Sequence, residues 1–184
     1  MKGPIHCFAS DLLAGKLAMV TGGGTGIGRA IAAELARSGA DLILAARRLD
    51  VLETAAEEIR IDTKRRVHCR QVDIRNLETV DALVDSIDSE FGQVDILVNN
   101  AGGQFPQAAE RFSPGGWRSV IDLNLNGTWN MTQAIGKKML AGRGGTICQI
   151  TIPVGRGNPG LAHSGAARAG ITELSKSLAY EWGP

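Results

Sequence analysis

Short runs of apolar residues alternate along the chain with longer stretches in which apolar residues recur every three or four positions. Short runs of this kind are typical of buried strands, and the longer periodic stretches are typical of amphipathic helices. The runs predict strands over residues 17–21, 42–46, 67–72, 94–99 and 146–151. The periodic stretches predict helices over residues 26–38, 49–60, 77–91, 114–140 and 164–182. Residues 1–14 follow neither pattern, and we expect an irregular lead-in there.

The order of these elements determines the expected fold. Alternating strands and helices with short connections predict a parallel sheet that has helices on both faces. Because crossovers between parallel strands are right-handed, the simplest strand order is 3-2-1-4-5, an α/β doubly wound sheet of the Rossmann type. We therefore expect one domain over residues 15–184, with a ligand cleft where the first and fourth strands diverge.

Composition and charge exclude several classes of protein. The 184 residues carry 20 Lys and Arg against 19 Asp and Glu, and this net charge of +1 argues against nucleic-acid binding. The longest apolar runs reach only about five residues, well short of the ~20 that span a bilayer, so no membrane segment is expected. The three cysteines, Cys7, Cys69 and Cys148, have no zinc-site or Cys-x-x-Cys spacing, which predicts free thiols and no metal site. Because the first ten residues contain no apolar signal segment, a cytoplasmic location is expected.

A glycine-rich turn joins the first predicted strand to the first predicted helix. Gly22, Gly26 and Gly28 stand in the sequence TGGGTGIG, together with Thr25 and Ile27. Glycines at such a turn let the backbone approach a pyrophosphate, whose charge lies against the free N–H groups of the helix start. We predict that these five residues bind a dinucleotide; a tight turn without a ligand is the alternative interpretation.

The end of the second predicted strand distinguishes between the nicotinamide cofactors. NAD sites usually place a carboxylate here, where it accepts a hydrogen bond from the ribose 2′-hydroxyl. This chain instead has Ala45 and Ala46 followed by Arg47 and Arg48. Guanidinium groups suit a 2′-phosphate, so the sequence favours NADP(H). The alternative interpretation is that Arg47 and Arg48 are a solvent-exposed basic pair at the start of a helix and bind no cofactor.

Three motifs together resemble those of the short-chain dehydrogenase/reductase superfamily: TGGGTGIG at 21–28, NNAG at 99–102, and LNLNGTW, which contains Asn124. The resemblance implies five further cofactor contacts, the first two at the adenine and the others at the ribose and nicotinamide: Asp73, Ile74, Asn100, Ala101 and Gly102. It also implies that Asn124 interrupts the long helix and holds a water molecule in a proton relay. A tolerated polar residue within the helix is the alternative for Asn124.

The catalytic pattern of that superfamily is incomplete in this chain. Superfamily members carry a Ser, a Tyr thirteen residues later, and a Lys four residues beyond the Tyr. An ungapped match puts Thr151, Ser164 and Arg168 at these positions, so the catalytic tyrosine is missing. Ser164 and Arg168 are four residues apart and share one helix face. The single tyrosine of the chain, Tyr180, lies much further along the helix and is interpreted as structural.

The missing tyrosine changes which reactions the site suits. Reduction of a ketone creates an alkoxide that needs a positioned proton donor, and a serine hydroxyl is a poor acid. Reduction of an enoyl thioester instead puts negative charge on the thioester oxygen, where hydrogen-bond donors such as Thr151 and Ser164 can stabilise it. Arg168 would supply a fixed positive charge beside the nicotinamide ribose, because it does not deprotonate. His163 is a candidate acid near neutral pH, or else a cap or packing residue.

Three further segments carry a closer resemblance: GGQF at 102–105, HSGAARAG at 163–170 and SLAYEW at 177–182. They are similar to segments of the peroxisomal trans-2-enoyl-CoA reductases and, more loosely, of the 2,4-dienoyl-CoA reductases. The dienoyl enzymes have a tyrosine where this chain has Pro153, and the enoyl enzymes have a Tyr and a Lys where it has Thr172 and Lys176.

The closer resemblance implies NADPH-dependent reduction of the C=C bond of a trans-2-enoyl-CoA-type thioester, a reaction of fatty-acid metabolism. A carbonyl or alcohol oxidoreductase, such as a 3-oxoacyl reductase, and a catalytically impaired NADP-binding protein are the alternatives. Superfamily members continue through a sixth and a seventh strand, so we expect this chain to be truncated at its C-terminal end relative to them. In the family, helices at the positions of 114–140 and 164–182 pair about a twofold axis, which implies a homodimer or homotetramer.

Overall fold

A computed structural model describes residues 8–153 and 157–183. Its strands are β1 (Leu17–Thr21), β2 (Asp41–Ala46), β3 (Val67–Gln71), β4 (Ile96–Asn99) and β5 (Thr146–Gln149). Its helices are α1 (Gly26–Arg37), α2 (Leu49–Thr63), α3 (Leu77–Phe91), α4 (Pro114–Ile121), α5 (Gly127–Ala141) and α6 (Ala162–Trp182). Cys7 lies outside the described residues. Among the helices that the structure describes, none is long and apolar enough to cross a membrane.

The five strands form one parallel sheet in the order β3-β2-β1-β4-β5, which confirms the predicted doubly wound arrangement. At its centre, Val20 of β1 lies in register between Leu44 of β2 and Val98 of β4. The chain proceeds to one side of β1 through β2 and β3, and to the other side of β1 through β4 and β5. A cleft therefore opens at the carboxyl ends of β1 and β4.

Two apolar layers cover the sheet, one on each face. Successive residues of β1 alternate between them, because side chains point to opposite faces along a strand. Val20 belongs to the layer that α1 and α2 complete, and Met19 belongs to the layer that α3 and α5 complete. Both side chains are fully buried. Because the sheet is buried on both faces, the sequences of the strands are nearly continuous runs of apolar residues.

The long helix predicted over 114–140 consists of three segments in the structure. Between α4 and α5 lies a single π-helical turn, Asp122–Asn126. Such a turn inserts an extra residue into a helix and often marks a functional site. It directs the side chain of Asn124 inward, where that residue is 1% exposed. The interruption that the resemblance implied at Asn124 is therefore present.

Other predicted bounds differ by a few residues. α2 continues to Thr63 rather than 60, and it ends where Lys64 adopts a left-handed φ of 59°. Glycine usually occupies that position, so a lysine leaves the end of the helix unmarked in the sequence. β4 begins at Ile96 and β5 ends at Gln149, because in both cases the apolar run extends beyond the paired residues. α6 begins two residues earlier than predicted, at Ala162.

At the start of β2, the carboxylate of Asp41 connects that strand to the loop before β3. Its Oδ1 accepts a hydrogen bond from the guanidinium of Arg65 at 2.7 Å, and its Oδ2 accepts one from Nε of Arg66 at 2.8 Å. Burial alone would raise the pKa of the Asp41 carboxyl, but the hydrogen bond from Arg66 and the charge of Arg65 outweigh burial and lower this pKa. The ionised carboxylate therefore stabilises the folded chain.

We predict that Asp41→Asn lowers the free energy of unfolding at pH 7 by about 1.5–3 kcal/mol, the range for hydrogen bonds to a charged group. The folded-state pKa of Asp41 lies below the unfolded value, so its contribution is complete above about pH 4 and is lost as the pH falls through the folded-state pKa. The difference between the parent and Asp41→Asn should therefore shrink in urea titrations below about pH 4.

Asp62→Asn is the matched control for this prediction. Asp62 also pairs with an arginine, Arg37 at 2.8 Å, but its side chain is 51% exposed. An exposed pair of this kind is worth less than about 1 kcal/mol. Equal losses of stability in the two variants, or a loss in Asp41→Asn that does not change with pH, would contradict the role assigned to Asp41.

Candidate functional site

The turn between β1 and α1 is shaped to receive an anion. Gly22 and Gly26 have φ values of 66° and 54°, in the left-handed region that favours glycine. Thr25 precedes α1 in an extended conformation without a side-chain cap, and the first turn of α1 contains no acidic residue. The first N–H groups of α1, including that of the exposed Ile27, therefore have no side-chain partner from Thr25 and face no carboxylate within their own turn. This is the arrangement that binds phosphate at a helix N-terminus.

The amide of Asn100 fastens this turn to the end of β4. Its Nδ2 donates hydrogen bonds to the carbonyl oxygens of Thr21 at 3.0 Å and Gly22 at 3.3 Å. A β-carbon added at Gly28 would overlap both this Nδ2 and the Gly22 carbonyl oxygen. Asn100 thus supports the turn between β1 and α1, which we call the phosphate turn. Position 28 requires glycine because this turn packs directly against it.

A cavity of about 160 Å³ opens beside the turn at the carboxyl ends of the strands. Eight residues predicted from the sequence line it: Gly22, Thr25, Arg47, Arg48, Asp73, Ile74, Ala101 and Gly102. Gly26, Ile27, Gly28 and Asn100 belong to the turn itself or to its support. Sequence reasoning missed four of the larger apolar residues of the wall: Val51, Leu52, Val72 and Leu123. Val72 could have been found, because it ends the third predicted strand.

Among the residues that the structure describes, the charged groups that line this cavity are two arginines and one aspartate. Arg47 and Arg48 are exposed at its rim, and within the described residues neither lies within 4.0 Å of a carboxylate oxygen. Asp73 is held by Arg75, whose Nε donates a hydrogen bond to Oδ1 at 2.9 Å. The hydrogen bond from Arg75 lowers the pKa of the Asp73 carboxyl, so it is ionised at neutral pH. The apolar wall, the two arginines and the open helix start fit a nicotinamide dinucleotide.

Arg168 lies next to this cavity and is 8% exposed. Its Nη1 donates a hydrogen bond to the carbonyl oxygen of Ile150 at 2.7 Å, and its Nη2 lies 3.5 Å from Oδ1 of Asn124. A β-carbon at Gly102 would overlap the guanidinium, so the close approach requires glycine there. Burial lowers the pKa of Arg168. Among the described residues, no carboxylate pairs with this cation.

Asn124 uses both ends of its amide to hold the backbone of Gly103. Oδ1 accepts a hydrogen bond from the N–H of Gly103 at 2.9 Å, and Nδ2 donates to the carbonyl oxygen of Gly103 at 2.9 Å. The segment that follows β4 is therefore fixed immediately before Gln104. The structure gives Asn124 this positioning contact and places it beside Arg168. The water-holding role that the resemblance implied stays a prediction.

Ser164 and His163 begin the inward face of α6, and both are fully buried. The hydroxyl of Ser164 donates to Oε1 of Gln104 at 2.6 Å. The backbone N–H of Ser164 donates to Nδ1 of His163 at 2.8 Å, and the imidazole contacts the rings of Phe105 and Phe112. Sequence reasoning did not identify Gln104 as a site residue, although GGQF was among the motifs that carried the closer resemblance.

The structure also places Thr151, which is the remaining catalytic candidate, and three residues that the sequence did not predict to be catalytic: Thr172, Lys176 and Tyr180. Thr151 is exposed beyond the end of β5. Tyr180 is 92% exposed, and Lys176 pairs with Glu173 on the surface of α6 at 3.0 Å. Thr172 donates to the carbonyl oxygen of Arg168 at 3.0 Å, within the helix. Within the described residues, Arg168 and Ser164 therefore have no hydrogen bond to a tyrosine or lysine side chain.

A family model described as short chain dehydrogenase matches residues 16–184. Among curated relatives, a Caenorhabditis elegans protein named "Probable 2,4-dienoyl-CoA reductase 3 [(3E)-enoyl-CoA-producing]" is 44% identical over 92% of this chain and 56% of its own length. A "Peroxisomal 2,4-dienoyl-CoA reductase [(3E)-enoyl-CoA-producing]" of Danio rerio is 38% identical over 97% of this chain and 60% of its own length. The chain thus spans little more than half of these relatives. The word peroxisomal in the second name leaves the cytoplasmic location a prediction.

Solved structures are also similar to this chain. A citronellol catabolism dehydrogenase of Pseudomonas aeruginosa PAO1 superposes with a TM-score of 0.91 at 37% identity, covering 96% of this chain and 72% of the other. Carveol dehydrogenase of Mycobacterium avium, solved in complex with NAD, superposes with a TM-score of 0.87 at 33% identity, covering 95% and 68%. The resemblance therefore extends from the sequence motifs to the whole described fold.

We predict that Gly28→Ala weakens dinucleotide binding about 10- to 100-fold, because the added methyl displaces the Gly22 carbonyl or the Asn100 amide at a cost of about 1–3 kcal/mol. Fluorescence titration with NADPH measures the effect. Gly115→Ala is the control, since a β-carbon at Gly115 in α4 meets no atom within 4 Å. Equal affinity in the parent and Gly28→Ala would contradict the packing described for the turn.

Proposed function

The chain belongs to the short-chain dehydrogenase family, and we propose that it reduces a carbon–carbon double bond of a conjugated acyl-CoA thioester with NADPH. The proposal rests above all on one observation. The position that the resemblance assigns to the superfamily's tyrosine holds Ser164, which lies in α6 one turn before Arg168, is buried and donates a hydrogen bond to Gln104. The names of the curated relatives support the same class of substrate.

The residues of the 160 Å³ cavity would hold the cofactor. The turn at Gly22 and the start of α1 suit the pyrophosphate, and Arg47 with Arg48 suits a 2′-phosphate. When bound, the reduced nicotinamide supplies the hydride for the reaction. Arg168 would lie beside it as a permanent positive charge, because a guanidinium keeps its proton.

The chemistry of the substrate explains why a tyrosine is dispensable. Conversion of a 2,4-dienoyl thioester to a 3-enoyl thioester adds hydrogen at C2 and C5. Hydride adds at C5, the electrons move through the conjugated chain to the thioester oxygen, and a solvent proton then adds at C2. A trans-2-enoyl thioester follows the same course with hydride at C3. In both cases the negative charge develops on the thioester oxygen, which needs hydrogen-bond donors rather than an acid.

The groups around Arg168 match that requirement. Ser164 and the amide of Gln104 are neutral groups, and Thr151 is an exposed hydroxyl at the end of β5. The N–H groups of Gln104 and the hydroxyl of Thr151, together with the buried positive charge of Arg168, suit an oxygen that becomes negative during the reaction. His163 is packed against Phe105 and Phe112, so its contacts in the structure are those of a packing residue.

Reduction of a carbonyl group, or the reverse oxidation of an alcohol, is the second candidate function. It is favoured by the names of two similar structures, a citronellol catabolism dehydrogenase and a carveol dehydrogenase. An alkoxide chemistry would require a proton donor at the oxygen, with His163 as the first candidate. The two functions therefore differ in the substrates that they predict.

We predict that NADPH binds more tightly than NADH, by about 10- to 100-fold, because charge-assisted hydrogen bonds to a 2′-phosphate are worth about 1.5–3 kcal/mol. Ala46→Asp combined with Arg47→Ala should reverse the order, because a carboxylate then faces the 2′-phosphate. Fluorescence titration with both cofactors measures the preference. Arg37→Ala, at the far end of α1, should leave the preference unchanged, and equal parent affinities for NADPH and NADH would contradict the assignment.

We predict that the protein oxidises NADPH with 2,4-hexadienoyl-CoA or crotonyl-CoA. Turnover with acetoacetyl-CoA should be at least about 100-fold slower, because the site lacks the acid that such a ketone needs. Absorbance of NADPH follows the reaction. Faster turnover of acetoacetyl-CoA would favour the carbonyl function, and binding of NADPH without turnover of any thioester would indicate a catalytically impaired protein.

A further inference from the structure

The side chain of Gln104 is held by one hydrogen bond that also fixes its direction. Ser164 is fully buried, and its Oγ lies 2.6 Å from Oε1 of Gln104. The only proton on that hydroxyl is donated to the amide oxygen. The amide nitrogen is therefore directed away from Ser164, and Ser164 itself has no proton left for a substrate.

The backbone around Gln104 is held on both sides. Asn124 binds the N–H and the carbonyl oxygen of Gly103, each at 2.9 Å. On the other side, the ring of Phe105 lies edge-on against the imidazole of His163, with the ring centroids 4.8 Å apart. The π-helical turn and the start of α6 thus fix a three-residue segment, which provides a rigid support for a ligand-binding group.

The amide nitrogen of Gln104 is free to bind a ligand. Gln104 is exposed, and within the described residues its Nε2 has no hydrogen-bond partner. Gly102, two residues earlier, lines the cofactor cavity and contacts Arg168. Gln104 therefore follows the cavity wall by two residues and contacts Ser164 one turn before Arg168 in α6, so it borders the region where the reacting part of a substrate would lie.

We propose that Nε2 of Gln104 donates a hydrogen bond to the thioester oxygen of the acyl-CoA substrate, and that Ser164 is a positioning residue that orients this amide. The assignment rests on the proposed function and adds the group that binds the oxygen. An amide N–H stabilises a developing negative charge without giving up its proton, so it suits an enolate. Ser164 then contributes through Gln104 and does not touch the substrate.

Kinetics with 2,4-hexadienoyl-CoA test both assignments. Gln104→Leu should lower kcat about 100- to 1000-fold, the effect of losing one donor to such an oxygen, and should leave NADPH affinity unchanged. Ser164→Ala should lower kcat by a smaller factor in the parent and by no more than about twofold in the Gln104→Leu background, because a residue that acts through another has no separate effect. Gln107→Leu is the matched control, since that amide donates to the carbonyl oxygen of Arg111 at 3.3 Å. It should leave kcat unchanged.

Infrared spectroscopy gives a readout that does not depend on turnover. Butanoyl-CoA labelled with ¹³C at the thioester carbonyl cannot be reduced, and its carbonyl stretch moves to lower frequency when the oxygen accepts a hydrogen bond. The parent protein with NADP⁺ should show this shift, and Gln104→Leu should abolish it. Ser164→Ala should broaden the band or reduce the shift, because the amide is then free to rotate.

Each outcome has a distinct meaning. No shift in the parent, or the same shift in Gln104→Leu, overturns the role of Gln104. Losses that multiply in the double variant overturn the positioning role of Ser164 and indicate that its hydroxyl binds the substrate directly. A shift that depends on Gln104, in a protein that turns over no unsaturated thioester, leaves the oxygen site in place and overturns the proposed reduction.

Discussion

The hydroxyl of Thr21 joins the two strand ends on which the whole site depends. It accepts the backbone N–H groups of Asn100 and Ala101, both at 3.0 Å, and donates to the carbonyl oxygen of Val98 at 3.3 Å. Beyond this point the chain leaves β1 and β4 in opposite directions, so the ladder between them ends and the cleft begins. One buried side chain thus sets the separation between the phosphate turn at Gly22 and the segment that leads to the reacting groups.

The burial of Arg168 is a second constraint, and it has a chemical consequence. Removing a guanidinium from water is costly unless its N–H groups find acceptors. The acceptors here are neutral oxygens, the carbonyl of Ile150 and the amide of Asn124. A carboxylate in either place would cancel the positive charge. Because both partners are neutral, the field of the cation extends into the cleft and favours an anion there, whether a phosphate group or an oxygen that becomes negative during reaction.

The sheet order and the phosphate turn could be predicted because they depend on local patterns, such as apolar runs and glycine spacing. The contacts that shape the reacting site depend on residues far apart in the chain. Ser164 meets Gln104 across 60 positions, and Asn124 meets Gly103 across 21. The periodicity of apolar residues along the chain cannot predict a contact between residues this far apart. The left-handed Lys64 shows the same limit on a smaller scale, since no glycine marks the end of this helix in the sequence.

In the proposed reaction, a serine at the position that the resemblance assigns to tyrosine matches a change in where the proton goes. An alkoxide receives its proton at oxygen, so a ketone reductase needs a group that can release one at that position. An enolate receives its proton at carbon, so its oxygen needs donors that hold their protons throughout. Gln104 and Arg168 both meet that condition, because neither an amide nor a guanidinium deprotonates near neutral pH. A site built from such groups disfavours reduction of a ketone and remains able to stabilise the charge that forms when a conjugated C=C bond accepts hydride.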